Sequence, residues 1–324
     1  MHVHIVGNGS GGTGCWVRVT GWHRPLAALM LRQVGLPGSA MTGELDRLYV
    51  ERLLEQVRGS SLGAVVILAQ DDVHDEQGRV MPGVGSFYVP NDYVLKLAGT
   101  HKEFLPAVSI HPARPDAMEE LERCLTGGAV MMKCLPNCQN FDCSNPKFTK
   151  FWERMAEAKL PLLAHTGGEH TLPVVRQEYS DPRRLILPLE TGVTVIAAHS
   201  ATKSGVTDPE YFHAFVEMTA KFPNLYGDTS AFNVPLRGRH TRQCIRQPLA
   251  SRLVHGSDYP VPVSGLWSWL RGFIGWRDYL AARRNPNILE RDYQLKLAMG
   301  FGADHFTRIA GLLRPIKENK NRAS

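Results

Sequence analysis

The sequence of 324 residues lacks the features that define several large classes of protein. Six cysteines are too few for a disulfide scaffold in a chain of this length. No run reaches the ~18 consecutive apolar residues that a membrane-spanning helix needs. The opening residues, MHVHIVGNGSGGTG, contain neither a basic segment nor an apolar core and so do not resemble a secretory signal. We therefore expect a cytoplasmic protein without a membrane partner.

The chain also has only a small excess of positive over negative charge. There are 37 Lys and Arg against 31 Asp and Glu, which gives a formal net charge of +6. The basic residues are spread along the sequence and are densest at 237–246 and 314–324. A nucleic-acid-binding surface would concentrate them on one face with aromatic residues between them. The expected partners are a small-molecule substrate and, at most, a second copy of the chain in a homodimer; nucleic acid is not expected.

What the sequence does contain is a repeated pattern of short apolar runs, most of them followed by a helical stretch. Near-continuous hydrophobicity is typical of strands that are buried on both faces of a parallel sheet. Eight such runs lie at 1–7, 64–70, 105–112, 129–136, 160–167, 193–200, 225–230 and 252–260. From the third run onward their spacing is about 25 to 32 residues, which is the size of one βα unit.

Eight βα units without a linker predict a closed (β/α)8 TIM barrel of the α/β class, with an open doubly wound sheet as the alternative. One domain is expected to span 1–313 and to end in a helix near 289–313 that packs on the barrel or caps it. Residues 314–324 are expected to form a basic, flexible tail. The long interval after the first run should hold a loop and then a helix around 43–58.

The apolar runs carry or end in residues that can bind a metal or move a proton. In a barrel, the carboxyl ends of the strands converge on one mouth, so these residues would meet there. They are His2, His4, Lys133, His165, His199, Asp228 and Asp258. His2 and His4 are two residues apart on a strand and therefore face the same side, where both imidazoles can hold one ion. Nitrogen and oxygen ligands of this kind suit zinc, with manganese or iron as alternatives.

Four candidates for substrate binding have less specific assignments. Lys133 is a metal ligand only if it is carbamylated, and otherwise it pairs with a substrate carboxylate. Glu169 and His111 are placed near the mouth, where each either contacts substrate or orients a loop. Asp228 is either a site residue that contacts substrate or the cap of the turn that follows it.

Five motifs, taken in order, resemble the amidohydrolase superfamily. They are His2-Val-His4, Lys133-Cys-Leu-Pro, His165-Thr-Gly-Gly-Glu169, Ala-His199-Ser and Gly-Ser-Asp258-Tyr-Pro. The sequence is most similar to the amidohydrolase-related (amidohydrolase 2) branch that includes aminocarboxymuconate semialdehyde decarboxylase. The match runs from residue 2 to about residue 313. One departure is that only Met1 precedes His2, whereas the family's first strand usually begins several residues earlier, so either the natural chain is longer or this strand is very short.

The resemblance implies a ligand set and a reaction. His2, His4, His165 and Asp258 would hold the metal, and His199 would polarise the substrate or bind a second ion. Asp258 would also act as general acid and base while metal-activated water attacks a small amide, lactone or ester. The alternative reaction is metal-dependent, non-oxidative decarboxylation of an aromatic or unsaturated acid. A non-catalytic barrel that has kept the ligand pattern is the third interpretation.

Two other motifs, a glycine-rich segment and a group of cysteines, differ from the dinucleotide-binding and iron–sulfur motifs that they partly match. The glycine-rich segment 7–12 follows a strand that is too short for a dinucleotide-binding unit, and no acidic residue lies about 20 positions later. A flexible loop is the better interpretation. Cys134, Cys138 and Cys143 differ in spacing and position from the cysteines that bind an iron–sulfur cluster in radical enzymes, so free thiols are expected.

Overall fold

A computed structural model describes residues 2–21 and 23–315, so the predicted tail lies outside the described residues from position 316 onward. Eight parallel strands form one sheet in the order β1, β3, β5, β6, β7, β8, β9, β10, and two short antiparallel strands, β2 and β4, form another. The strands are β1 (Val3–His4), β2 (Trp16–Val17), β3 (Val65–Leu68), β4 (Phe87–Tyr88), β5 (Phe104–Val108), β6 (Met131–Cys134), β7 (Leu162–His165), β8 (Val195–Ala198), β9 (Leu225–Asp228) and β10 (Leu253–Val254).

The eight-stranded sheet closes on itself. After β10 the chain runs beside β1, where Tyr259 forms a parallel bridge with Val3. The His4 N–H donates to the Tyr259 carbonyl at 2.8 Å, and the Asp258 N–H donates to the His2 carbonyl at 2.9 Å. The predicted (β/α)8 barrel is therefore confirmed and the open doubly wound sheet is wrong. Two residues are enough for β1 because it pairs on both sides.

Helices surround the barrel. They are α1 (His23–Gln33), α2 (Leu45–Arg58), α3 (Asn91–Thr100), α4 (Ala117–Thr126), α5 (Pro136–Gln139), α6 (Thr149–Glu157), α7 (Ile186–Glu190), α8 (Phe212–Lys221), α9 (Thr241–Cys244), α10 (Leu266–Leu270), α11 (Trp276–Arg284), α12 (Ile288–Ala298) and α13 (Ala303–Thr307). Short 3-10 turns lie at Gly38–Thr42, Pro146–Phe148, Gln177–Ser180, Pro182–Leu185, His199–Ala201, Arg237–His240, Leu249–Arg252 and Arg308–Gly311. Within the described ranges, no helix is both long and apolar enough to cross a membrane.

Two expectations about helices have different outcomes. The helix expected around 43–58 is α2. The single helix expected at 289–313 is instead divided into α12, α13 and a 3-10 turn. Gly300 causes the break, because its φ of 96° is left-handed and ends α12, while the Phe301 N–H caps that helix by donating to the Lys296 carbonyl.

Apolar side chains fill two layers, one inside the barrel and one between the barrel and its helices. The inner layer includes Val66, Leu68, Met131, Leu163, Ile196 and Val254, all at most 3% exposed. Ile309, Leu312 and Leu313 pack against it from the C-terminal segment. Because strand side chains alternate, the intervening residues, such as Val65, Ile67 and Val195, pack in the outer layer. This two-sided burial is the reason that the strands read as unbroken apolar runs.

The inner layer should make a large contribution to stability. Leu163→Ala removes a side chain that is 0% exposed, and we expect it to lower the free energy of unfolding by about 2–5 kcal/mol. The matched control is Leu270→Ala, at a position that is 57% exposed, which should change it by less than about 0.5 kcal/mol. Urea denaturation of both variants measures this; similar losses would contradict a packed barrel interior.

Candidate active site

The alternation of side chains along the strands directs the predicted site residues into the barrel. Met131 belongs to the inner layer, so Lys133, two residues further along β6, faces the same way. Leu163 and His165 have the same relation on β7. Lys133 and His165 come at or near the carboxyl ends of their strands, so their side chains lie at the mouth rather than in the packed interior.

His2, His4 and Asp258 form a close triangle of ligand atoms. His2 and His4 flank Val3, which packs in the outer layer, so both imidazoles face inward. His2 Nε2 lies 3.3 Å from His4 Nε2 and 3.2 Å from Asp258 Oδ1, and His4 Nε2 lies 3.3 Å from the same oxygen. Ligands at 2.0–2.1 Å from a tetrahedral ion are separated by about 3.3 Å. These three side chains therefore fit a divalent metal.

Two further histidines lie beside this triangle. A ligand atom of His199 lies within 4.8 Å of ligand atoms of His2 and Asp258. The ring of His165 is 5.0 Å from that of His199, centre to centre. His165 Nε2 is buried without a hydrogen-bond partner, which is costly unless a ligand meets it. The structure thus brings together the six residues that the sequence predicted for metal binding and catalysis, with Lys133 among them.

Three residues of the cluster have strained backbone. His2, His199 and Asp258 adopt φ values of 64°, 60° and 62°. This left-handed region is unfavourable for residues with a β-carbon, at of order 1–3 kcal/mol each, and such residues concentrate at functional sites. At two of the three, the strain is held by the backbone hydrogen bond from Asp258 to His2 that closes the barrel.

Asp228 lies beside the cluster and orients two of its residues, His2 and His199. Its Oδ2 accepts a hydrogen bond from His2 Nδ1 at 2.8 Å, which leaves the His2 Nε2 lone pair facing the cluster. Its Oδ1 accepts from the backbone N–H of His199 at 2.7 Å and of Ser230 at 3.0 Å. Burial alone would raise the pKa of Asp228, yet the His2 ring, the His199 ring and the Ser230 hydroxyl hold that pKa below its ordinary value. Asp228 is 0% exposed and is not among the residues that line the cavity, so of its two predicted roles its position is more consistent with capping the turn that follows it than with contacting substrate.

Burial sets the protonation of the histidines. It lowers the pKa of His2 to about 4 and those of His165 and His199 well below the ordinary value. Neutral imidazole is the form that binds metals. The Lys133 amine, whose Nζ lies 3.4 Å from His2 Nε2, has a pKa lowered by burial and partly restored by Asp228. Lowering of this pKa favours the unprotonated amine that carbamylation requires.

Loops at the mouth are connected by one arginine that sequence reasoning missed. Arg237 is buried, and its guanidinium donates to the carbonyls of Gly168 at 2.6 Å and Thr202 at 3.3 Å, which lie in the loops after β7 and β8. Glu169, in the first loop, lies near the cluster as expected, with Oε2 3.6 Å from His165 Nε2. Arg237 belongs to the dense basic run at 237–246, but the composition of that run could not show that the Arg237 side chain is buried.

His111 is not at the cluster. Its ring packs 4.7 Å from the rings of His74 and Phe141, and its Nε2 hydrogen-bonds with the Gln139 carbonyl at 2.9 Å. Of the two roles left open, substrate contact or loop orientation, its position is consistent with the second. The reason is that His111 follows β5 by three residues, where the chain has already turned away from the cavity.

The glycine-rich segment 7–12 surrounds an internal carboxylate. The backbone N–H groups of Asn8 and Gly9 donate to Asp46 Oδ2 at 2.8 and 3.1 Å, and the Ser10 hydroxyl donates to it at 3.2 Å. Clustered backbone amides favour an anion, and here the anion is a side chain of α2. The six cysteines are free thiols, as expected.

A cavity of about 210 Å³ opens from the cluster. Its polar inner end is lined by His2, His4, Lys133, His165, Glu169, His199 and Asp258. Apolar side chains from α1, β2 and β4 form much of the rest of its wall. The ligand triangle therefore lies at the inner end of a cavity that can hold a small molecule.

The orienting role of Asp228 leads to a prediction about metal affinity. Asp228→Asn keeps the size of the side chain but weakens its hold on His2, so the affinity for Zn²⁺ should fall about 10–100-fold. Titration with a chromophoric chelator measures this. Asp304→Asn, an exposed position on α13, is the matched control and should bind as the wild type does. Unchanged affinity in Asp228→Asn would contradict the role.

Comparisons with known proteins agree with this fold. An uncharacterised TIM-barrel protein of Bordetella bronchiseptica is 19% identical, with a TM-score of 0.57 over 86% of this chain and 92% of that one. The 5-carboxyvanillate decarboxylase of Sphingomonas paucimobilis is 14% identical, with a TM-score of 0.50 over 94% and 97%. At these identities the likeness establishes the barrel fold alone. No curated protein sequence matches significantly.

A family model gives a more direct assignment. The model described as Amidohydrolase matches residues 78–283, which is more than half of the chain. It includes the strands that carry Lys133 and His165, as well as His199 and Asp258. The resemblance inferred from the motifs is therefore confirmed, and the protein belongs to the amidohydrolase family.

Proposed function

We propose that the protein is a metal-dependent hydrolase that adds water to the carbonyl of a small amide, lactone or ester. The observation that carries this proposal is the triangle of His2, His4 and Asp258 with edges of 3.2–3.3 Å at the inner end of a cavity. A divalent ion, when bound, supplies a water of lowered pKa and polarises the substrate carbonyl. The donor set suits zinc, with manganese or iron as alternatives.

The chain's own residues divide into ligands and proton carriers. His2, His4, His165 and Asp258 would hold the metal, and Lys133 would join them only if it is carbamylated. Asp258 lines the cavity and has one oxygen in the triangle, while its Oδ2 is 4.0 Å from His199 Nδ1. That second oxygen is placed to accept a proton from water and to return it to the leaving group.

The hydrogen bonds of His199 restrict its role. His199 Nδ1 lies 2.8 Å from Ser230 Oγ and 3.2 Å from the Ser230 carbonyl, and the Ser230 hydroxyl donates to Asp228. Nδ1 is therefore the protonated nitrogen of the neutral ring, and Nε2 has the lone pair. In this tautomer His199 holds an ion or accepts a proton; polarising a substrate oxygen requires its protonated form.

Decarboxylation is the second candidate because Lys133 faces the cavity, where its amine can pair with a substrate carboxylate. One structural neighbour is a decarboxylase, although its likeness concerns the fold. The two reactions have different products. Release of acid from esters and lactones, followed in a pH-stat, supports hydrolysis, whereas release of carbon dioxide from aromatic acids supports decarboxylation and contradicts our proposal.

The role of Asp258 can be tested by substitution. Asp258→Asn removes the proton acceptor, so turnover per bound metal should fall by about 10²–10⁴-fold. Normalising to metal content, measured on the same samples, separates the loss of a base from the loss of a ligand. Asp304→Asn again provides the control. Near-normal turnover per metal in Asp258→Asn would show that another group moves the proton.

A further inference from the structure

Helix α1 presents most of its apolar face to the cavity, and within that face Leu31 also belongs to the hydrophobic core. Of its eleven residues, only Leu31 is buried. Leu26, Ala27 and Met30 are half-buried and line the cavity together with Leu31. They lie at positions i, i+1, i+4 and i+5 and so form one side of the helix. A face of this kind gains stability when apolar atoms cover it, and here those atoms would come from the cavity's occupant.

A second apolar surface lines the same cavity. Val17 on β2, Phe87 on β4 and Val84 just before β4 all line it. The ring of Phe87 meets the ring of His4 edge-on at 6.4 Å between centres. The apolar wall therefore begins next to the ligand triangle, so that one molecule can contact both.

Lys133, Glu169 and Asp258 lie at the inner end of this cavity, and Arg18 and His23 are the basic residues that line the rest of it. In the outer part, the guanidinium of Arg18 is exposed, stacks over Trp16 at 5.7 Å and donates to the Gly85 carbonyl. A carboxylate placed against the apolar side chains of α1, Leu26, Ala27 and Met30, would lose hydration without gaining a charged partner from them.

We propose that the substrate presents an uncharged aromatic ring, or an apolar group of similar size, to the wall formed by α1 and the β2–β4 sheet. The proposal rests on the proposed function for the position of the carbonyl, at His2, His4 and Asp258. A cavity of about 150 Å³ lined by apolar side chains accepts benzene. A volume of about 210 Å³ therefore accommodates such a ring together with a short carbonyl-bearing arm.

Two small amides provide a matched test. Phenylacetamide and malonamate share the group CH2–CO–NH2 and differ in having a phenyl ring or a carboxylate at its other end. We expect the wild-type protein, as purified, to bind phenylacetamide at least about tenfold more tightly in isothermal titration calorimetry at pH 7. Equal affinities, tighter binding of malonamate or no measurable binding of phenylacetamide would each overturn the proposal.

Variants of α1 locate the ring. Met30→Glu puts a carboxylate into the wall and should weaken phenylacetamide binding at least about tenfold. Leu29→Glu adds the same charge one residue away, at a position that is 46% exposed and outside this cavity, and should bind within about twofold of wild type. Met30→Gln adds no charge and should weaken binding less than Met30→Glu. If Met30→Glu does not fold, Met30→Gln takes its place in the test. Unchanged binding in the folded variant used would contradict the contact between the phenyl ring and α1.

This test is separate from that of the reaction. Binding of phenylacetamide needs no turnover, so selective binding without hydrolysis of any carbonyl compound would refute the proposed function and leave the apolar subsite intact. Hydrolysis of esters without preferential binding of phenylacetamide would support the proposed function and refute the apolar subsite.

Discussion

The pairing between the first strand and the segment after the last strand is the constraint on which the site depends. The backbone hydrogen bond from Asp258 to His2 and the bridge between Val3 and Tyr259 close the barrel. The same contacts bring a histidine pair from one end of the sequence to an aspartate about 250 residues away. Ring closure and assembly of the ligand triangle are therefore one event. A change that loosens β1 would affect both stability and chemistry.

Burial determines the protonation of the site's ionisable groups, and it also costs free energy because these groups lose their hydration. At most 2% of the surface is exposed in each of His2, Lys133, His165, His199 and Asp228, so each needs a partner. Asp228 meets this need for His2 and for the backbone of His199, while His165 Nε2 has no hydrogen-bond partner among the described residues. Burial lowers the pKa of His2, His165 and His199 and so keeps these three imidazoles neutral. A bound cation would satisfy these groups together, which explains why the sequence tolerates them there.

The sequence predicted those parts that follow from local pattern and barrel geometry. The strands, the helix α2 and the positions of His165, His199 and Asp258 depend on hydrophobic runs and on where each run ends. Other features depend on tertiary contacts that no local pattern contains. Asp228 ends its strand as a ligand would, yet it lies behind His2. Arg237 appears in a basic run but is buried between two loops. Leu26 and Met30 belong to an ordinary amphipathic helix pattern, which does not show that these side chains line a cavity.

We infer that the clustered imidazoles and the Asp258 carboxylate form a metal site. Elemental analysis of the purified wild-type protein, expressed as metal per subunit, is the test. One divalent ion per subunit is expected, or two if Lys133 is carbamylated. A protein that purifies empty and takes up no added Zn²⁺ at micromolar concentrations would contradict it and would favour a barrel that has kept the ligand pattern without the chemistry.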